Sequence, residues 1–381
     1  MIKIFTVIGA RPQIIKAAAL SRIIKEKYQG RMQEIIVHTG QHYDKNMSDI
    51  FFEQMGIPQP NYNLNVGSMS HGQQTARMIE GIEALLLKEK PDFVVIYGDT
   101  NSTLAAAIAA SKLHFKIAHI EAGLRSFNKS MPEEINRILS DHISTLLFSP
   151  TKTGYENLLA EGFNPNCTPP FTADNPKIYH CGDVMYDNML HYTAVAEKNS
   201  TVLADNNLES GRFILATIHR DNNTDNPDRL NSIFKAILQS ATKSGLKMVL
   251  PLHPRTVKLL PQNLTSELLI AINENQRIKI IPPASFFDMI VLEKHCRLIL
   301  TDSGGVQKEA WFNKKPCIIL RPETEWKEIV EQGAGIITDA DFLRIIDAFD
   351  HLITKNDIEY PPIFGDGSAA SFICREIFAS A

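Results

Sequence analysis

Three places in the first half of the chain put a carboxylate where the backbone leaves an apolar run: Asp99 in Gly98-Asp99-Thr100, Glu121 in His119-Ile120-Glu121, and Glu133 in Pro132-Glu133-Glu134-Ile135-Asn136-Arg137. Carboxylates at such turns can take up and return protons, and Arg125 and Arg137 nearby would steady their charge. The spacing of His119 and Glu121 predicts a shared strand face. One of the paired glutamates also has a plainer reading, as a complement to a helix dipole. A divalent metal is the rival use of a His and carboxylate grouping, but no compact ligand set of the HExxH kind is present, so the expectation is catalysis without a metal.

Basic groups open the chain. Gly9-Ala10-Arg11-Pro12-Gln13-Ile14-Ile15-Lys16 reads as a glycine turn with proline near a helix start, which brings Arg11 and Lys16 to a ligand edge unless they are only solvated surface charges. The turn has neither GxGxxG nor GxxxxGK[ST], so it offers no dinucleotide turn and no ATP-type phosphate loop, and no NAD is expected. In the second half Asp302-Ser303-Gly304-Gly305 runs into a helix carrying Glu309. Backbone N–H groups at that start would face a phosphate, and a carboxylate one turn in can accept from a ribose diol. The alternative is an ordinary N-cap at Ser303. His219-Arg220 and His253-Pro254-Arg255 end two more apolar runs, where histidine can contact phosphate, move a proton or serve structure alone.

The elements that must carry these groups alternate almost from end to end. Strands are predicted at Ile2–Ile8, Glu34–His38, Phe93–Tyr97, Lys116–Ile120, Thr145–Phe148 and Ile178–Cys181, and again at Phe213–Thr217, Met248–Leu252, Ile278–Ile281, Leu298–Thr301 and Cys317–Leu320. Helical patterns such as Ile14–Tyr28, Thr75–Lys88 and Ser102–Leu113 lie between, so the class is α/β with parallel sheets. With 381 residues there is length for two cores, and the polar stretch Glu197–Gly211 marks the boundary: residues 1–197, residues 198–367, and a terminal helix over 368–381 that crosses back to the first domain. Hydrophobic residues make up 44% and charged residues 22%, an ordinary folded mixture. A net charge of −4 with no basic block argues against nucleic acid as a partner. Five cysteines without a CxxC pair fit reduced thiols in the cytoplasm, and no run suggests secretion or a membrane span.

The segments GARPQIIK, GQHYD, YGDTNSTLA, HIEAGLRS, PEEINR, SPT, GDV, HPRT, TDSGGVQKEA, ETEW and GDGSAAS occur in order across nearly the whole chain. In that set the sequence resembles the non-hydrolysing UDP-N-acetylglucosamine 2-epimerases. The resemblance implies two Rossmann-like domains facing a cleft, the glycosyltransferase B-type architecture, with the nucleotide held mainly by the C-terminal one. It implies an isomerase that inverts C2 of a UDP-linked N-acetylhexosamine by anti elimination of UDP and re-addition, as a homodimer, without a cofactor. Asp99, Glu121, Glu133 and His219 match the family's catalytic positions. Arg11, Lys16 and Arg220 match residues near the diphosphate, and Ser303, Gly304, Gly305 and Glu309 match the nucleotide site. Arg125, Arg137 and His253 are expected to complete the binding set.

Departures from the family pattern bear on the substrate. TIHRDNNTDNP stands where TGHRREN is usual, Thr324-Glu325-Trp326 where TER is usual, and Lys308-Glu309 where paired glutamates are usual. Together with NMSDIFFEQMGIPQP these look most like the branch acting on UDP-2,3-diacetamido-2,3-dideoxyglucuronate in surface polysaccharide or lipopolysaccharide precursor synthesis. Gln41 and His42 match positions that hold an allosteric UDP-N-acetylglucosamine in some relatives, but Tyr43 replaces the usual arginine, so that regulation is not expected. Rival functions are a hydrolysing epimerase releasing N-acetylmannosamine and UDP, a glycosyltransferase, and a UDP-sugar sensor without chemistry.

Overall fold

The computed structural model describes residues 1–41, 52 and 55–381. His42 and Tyr43, and most of the segment from Asn46 to Gln54, lie outside the described residues. The described chain divides into two compact units, Met1–Asn188 with Pro362–Ala381, and Met189–Pro361. The division falls inside the helix Val184–Asn199, ahead of the polar stretch that follows it.

The first unit holds β1 (Ile2–Ile8), β2 (Met32–His38), β3 (Tyr62–Asn63), β4 (Phe93–Tyr97), β5 (Lys116–Ile120), β6 (Leu146–Ser149) and β7 (Lys177–His180) in the order β3-β2-β1-β4-β5-β6-β7, all pairs parallel. Phe93 to Tyr97 are buried throughout, the continuous apolar run that a strand covered on both faces requires. Against this sheet the helix Asn101–Lys112 presents Ala105, Ala106, Ala107, Ala109 and Ala110, whose small side chains allow close approach, and the helix His71–Glu89 adds Met78, Ile82 and Leu86. The terminal helix Ala369–Ala379 packs in this unit: Asp187 accepts from the N–H groups of Ala369 and Ala370 at 3.2 and 2.7 Å, and Phe378 meets Tyr28 with ring centroids 5.4 Å apart.

The second unit holds β8 (Phe213–Thr217), β9 (Lys247–Pro251), β10 (Ile278–Ile281), β11 (Ile299–Thr301), β12 (Cys317–Ile319) and β13 (Gly335–Ile337) in the order β10-β9-β8-β11-β12-β13, again parallel. Its core joins Ile214, Ala216, Met248, Leu250 and Leu300 to Leu230, Phe234 and Ile237 of the helix Pro227–Ser244 and to Ile345, Phe349 and Leu352 of the helix Phe342–Thr354. Both units are thus parallel-sheet α/β domains. In each, the strand order reverses once, between β1 and β4 and between β8 and β11. Loops at the carboxyl ends of those strands part on either side of the reversal, which leaves a crevice for ligands.

β3 and β13 do not figure among the predicted strands. Two and three residues are too few to show an alternating pattern, and β13 starts on a glycine. Among the described residues no helix is long and apolar enough to cross a membrane.

Candidate functional site

In the first unit the predicted residues gather at the carboxyl ends of β1, β4 and β5. The turn after β1 is tied down by Gln13, whose Oε1 accepts from the N–H groups of Gly9 and Ala10 at 2.8 and 3.2 Å while its Nε2 donates to the carbonyl of Tyr97 at 3.0 Å. That links the first turn of the helix Arg11–Lys27 to the end of β4 and fixes where Lys16, one turn further on, projects. Lys16 is 8% exposed and its Nζ lies 2.6 Å from Glu121 Oε1. Arg11 opens the same helix and is half-buried.

Glu121 follows β5 rather than belonging to it, and its φ of +72° is a left-handed backbone that a glutamate seldom adopts. Strand alternation therefore does not set its direction, and the expectation that His119 and Glu121 share a strand face is corrected here. Strain of this kind persists where the surroundings over-determine it, and functional sites are where it collects. Gly98, with φ +61°, is the neighbour that makes room: a Cβ there would lie 3.1 Å from Lys16 Nζ and 3.6 Å from Glu121 Oε1.

Asp99 is held by Arg137, whose Nη2 is 2.7 Å and Nε 2.9 Å from Oδ2. Arg137 in turn reaches Glu134 Oε2 at 2.8 Å. Burial works against charge on Glu134, but the N–H groups of Ser126 and Phe127 and then Arg137 hold its carboxyl below the usual range. Of the pair that opens the helix Pro132–His142, Glu134 is thus built into the support while Glu133 is exposed.

Arg125 points elsewhere. It lies 2.7 Å from Asp141 and grips Glu161 through Nε and Nη2 at 2.6 and 2.7 Å, with its side chain almost wholly buried. Asp141 also meets His119 Nδ1 at 2.7 Å, and His119 Nε2 lies 2.8 Å from the Gly98 carbonyl. Both ring nitrogens face acceptors, which fits an imidazolium. Burial opposes the charge on Asp141, but His119 and Arg125 draw its carboxyl below the ordinary value.

In the second unit the register pairs Thr217 with Thr301, so the residues that follow β8 and β11 are neighbours. Asp302, fully buried, accepts from the backbone N–H of His219 and Arg220 at 3.1 Å each, from Asn223 Nδ2 at 3.1 Å, and lies 3.0 Å from His219 Nδ1. Since a carboxylate only accepts, Nδ1 carries the proton, and the half-exposed ring presents Nε2 outward. Burial again opposes charge on Asp302, and the contacts with His219, the Arg220 N–H and Asn223 together depress the carboxyl below its ordinary value.

Ser303 caps the helix Gly304–Phe312, accepting from the Val306 N–H at 3.5 Å. A Cβ at Gly305 would meet only Ser303 Oγ at 3.8 Å, so the helix start is open to a close ligand. Glu309 stands one turn along, half-buried. Behind the start, Trp326 Nε1 donates to the Gly304 carbonyl at 2.9 Å and Lys308 Nζ sits 4.4 Å from the Trp326 ring centroid, so two of the sequence departures meet in one brace. Arg220 caps the short helix Asp221–Thr224, and His253 caps Pro254–Asn263, accepting from the Arg255 N–H at 3.2 Å.

Asp302 and Asp141 are the groups that sequence reasoning missed as site supports. Asp302 stands directly before the recognised Ser303-Gly304-Gly305 turn, which was the one signal available. Among the described residues no group of three or more His, Cys, Asp or Glu side chains is arranged to hold a metal ion.

Comparison with known proteins adds to this geometry. A family model described as UDP-N-acetylglucosamine 2-epimerase matches residues 25–377. The chain is 46% identical over 373 residues to the UDP-2,3-diacetamido-2,3-dideoxy-D-glucuronate 2-epimerase of Pseudomonas aeruginosa, covering 98% of each chain. It is 44% identical over 376 residues to the UDP-N-acetylglucosamine 2-epimerase of Methanocaldococcus jannaschii, again 98% of each. The crystal structure of the Methanocaldococcus jannaschii UDP-GlcNAc 2-epimerase in complex with UDP-GlcNAc and UDP matches with TM-score 0.87 and 42% identity, over 99% of this chain and 100% of that one. Phytolacca americana UGT2, at TM-score 0.57 and 12% identity over 100% of this chain and 95% of that one, shares the fold alone.

Proposed function

Because the chain belongs to the UDP-N-acetylglucosamine 2-epimerase family, whose members are isomerases, we propose that it inverts C2 of a UDP-linked N-acetylhexosamine without releasing the free sugar. The observation that carries this reading is the pair of carboxylates beyond adjacent strands β4 and β5, each on its own cation: Asp99 on Arg137 at 2.7 Å and Glu121 on Lys16 at 2.6 Å. A carboxylate so held is fixed in direction, where it can take a proton from substrate and return one.

The C2 proton of such a sugar has no ketone beside it and is weakly acidic. Its removal becomes feasible when the electron pair left at C2 forms the C1–C2 double bond and the C1–O bond breaks, releasing the UDP anion. UDP then adds back to C1 while a proton is delivered to the opposite face of C2. Asp99, Glu121 and Glu133 are the proposed acid and base groups of the two half-reactions. Arg11, Lys16 and Arg220 are the cations proposed to receive the diphosphate charge, with Ser303, Gly304 and Gly305 supplying hydrogen-bond donors. His219, held by Asp302 through Nδ1–H, can meet the departing phosphate oxygen as an imidazolium, with Nε2–H donating. Arg137 acts through Asp99. Arg125, turned toward Asp141 and Glu161, supports the fold of the loop rather than the ligand.

The test is a proton and phosphorus NMR time course in deuterated water with UDP-N-acetylglucosamine, and in parallel with UDP-2,3-diacetamido-2,3-dideoxyglucuronate. Deuterium entering C2 as the manno epimer forms supports the reading. UDP accumulating with free sugar would point to the hydrolysing reaction, and UDP binding without turnover of either sugar would point to a sensor. The departures at Lys308-Glu309 and Thr324-Glu325-Trp326, together with the 46% identity to the diacetamido-glucuronate enzyme, support that second substrate and a place in surface polysaccharide precursor synthesis. We place the protein in the cytoplasm, where its five unpaired cysteines would stay reduced, and expect a homodimer by light scattering.

A further inference from the structure

Glu293 lies on the helix Phe286–His295, outside every motif that points to the site, and is 1% exposed. Across the next helix it shares a side-chain hydrogen bond with Glu309. Its Oε1 has no hydrogen-bond partner among the described residues. Two ionised carboxylates are acceptors only, so a hydrogen bond between them requires that one hold a proton. The site of that proton follows from the surroundings. As a carboxylate, Glu293 would be a buried charge with an orphan oxygen. As a carboxylic acid, it has only an under-satisfied neutral carbonyl, which is far less costly. Glu309 is half-buried and is the member of the pair that a ligand can reach.

We propose that Glu293 is a protonated carboxylic acid whose O–H donates to Glu309, holding that carboxylate ionised and oriented to accept the hydroxyls of a nucleotide ribose. The inference rests on the reading of Glu309 as the ribose partner given above. It makes Glu293 a positioning residue, acting on the nucleotide only through Glu309. Burial first, and the charge of Glu309 second, push the Glu293 carboxyl well above the usual carboxylate range, in keeping with the proton's place. A neutral donor suits the task better than a lysine or arginine would. A full cation there would neutralise Glu309 and weaken its hold on a hydroxyl, whereas an acid O–H fixes the rotamer and leaves the charge in place.

The experiment compares binding of UDP and 2′-deoxy-UDP by calorimetric titration of the full chain. In the wild-type protein loss of the 2′-hydroxyl is expected to weaken binding about tenfold or more, the size of a hydrogen bond to a charged acceptor. Glu293→Gln keeps an N–H donor in a side chain of the same length and should preserve that ratio within about threefold. Glu293→Met, similar in volume but without a donor, should bring the ratio down to about threefold or less while the melting temperature holds. A wild-type ratio near one would remove Glu309 from the ribose, and the proposal with it. A large wild-type ratio left unchanged in Glu293→Met would overturn the role of Glu293 and leave the reading of Glu309 standing. Should Glu293→Met not fold, infrared difference spectroscopy decides. The carbonyl band of a protonated carboxylic acid is expected in the wild-type protein and absent from Glu293→Gln, and identical spectra would sink the idea.

Discussion

Asp302 sits 3.0 Å from His219 Nδ1 and accepts three further N–H groups, two of them backbone. Asp302→Asn would keep the volume but put an amide where Nδ1 needs an acceptor, so His219 loses its tautomer and direction. A fall in kcat of roughly 10²-fold or more is expected with the circular dichroism spectrum unchanged. Asp99→Asn and Glu133→Gln should abolish turnover and leave UDP affinity nearly as it was, since neither is among the proposed nucleotide contacts. If binding falls with activity, the acid and base role is wrong. The residues that sequence reasoning names are those that stand at visible turns: Asp99, Glu121 and the Ser303-Gly304-Gly305 start. Asp141 and Glu293 are invisible at that level. A carboxylate in the last turn of a helix reads as a surface charge until the fold shows that it is buried and that its partners, His119 and Glu309, lie on other elements.

Among the elements, the loop after β5 is tightly constrained. Gly123 has φ +80°, and a Cβ there would lie 2.2 Å from the backbone carbonyl oxygen of Gly154. Gly123→Ala should cost about 3 kcal/mol in urea unfolding, since neither the turn nor the facing backbone can yield cheaply. The joint between the helices Val184–Asn199 and Ala369–Ala379 carries a pH signature. Burial raises Asp187 from 3.8 to about 6. Between those values the unfolded chain releases a proton that the folded one keeps, so stability contributed here falls as pH rises from about 4 to about 6. Asp141 has the opposite sign: with its folded value depressed, its contribution is present above about pH 4 and is lost as pH falls further. Asp187→Asn should therefore flatten the pH 4 to 6 slope of the unfolding free energy; an unaltered slope would show that Asp187 does not titrate there. Most strands were legible because a parallel sheet demands unbroken apolar runs. β3 and β13 were not, because their few residues are paired by neighbours rather than by pattern.

For the molecule as a whole, two separate cores predict two transitions in scanning calorimetry. If the nucleotide is held mainly by Met189–Pro361, UDP at about a hundred times its dissociation constant should stabilise that unit by about 2.7 kcal/mol and raise chiefly its transition. An equal rise of both would mean that the first unit carries as large a share of the binding. The alternation of strand and helix made two sheets legible from composition and pattern alone. The point of division was not, because Val184–Asn199 is one helix in sequence whichever core its ends pack against.

The helix Ala369–Ala379 belongs to the first unit, although the whole of the second is encoded before it. In the order of synthesis, therefore, every residue of the second unit is made before the last helix that the first unit needs. The N-terminal half must keep the buried face of Tyr28 and the acceptor Asp187 uncovered until that helix has been made. A nonsense codon between Pro362 and Ala369 would harm the earliest-made domain and spare the one made after it.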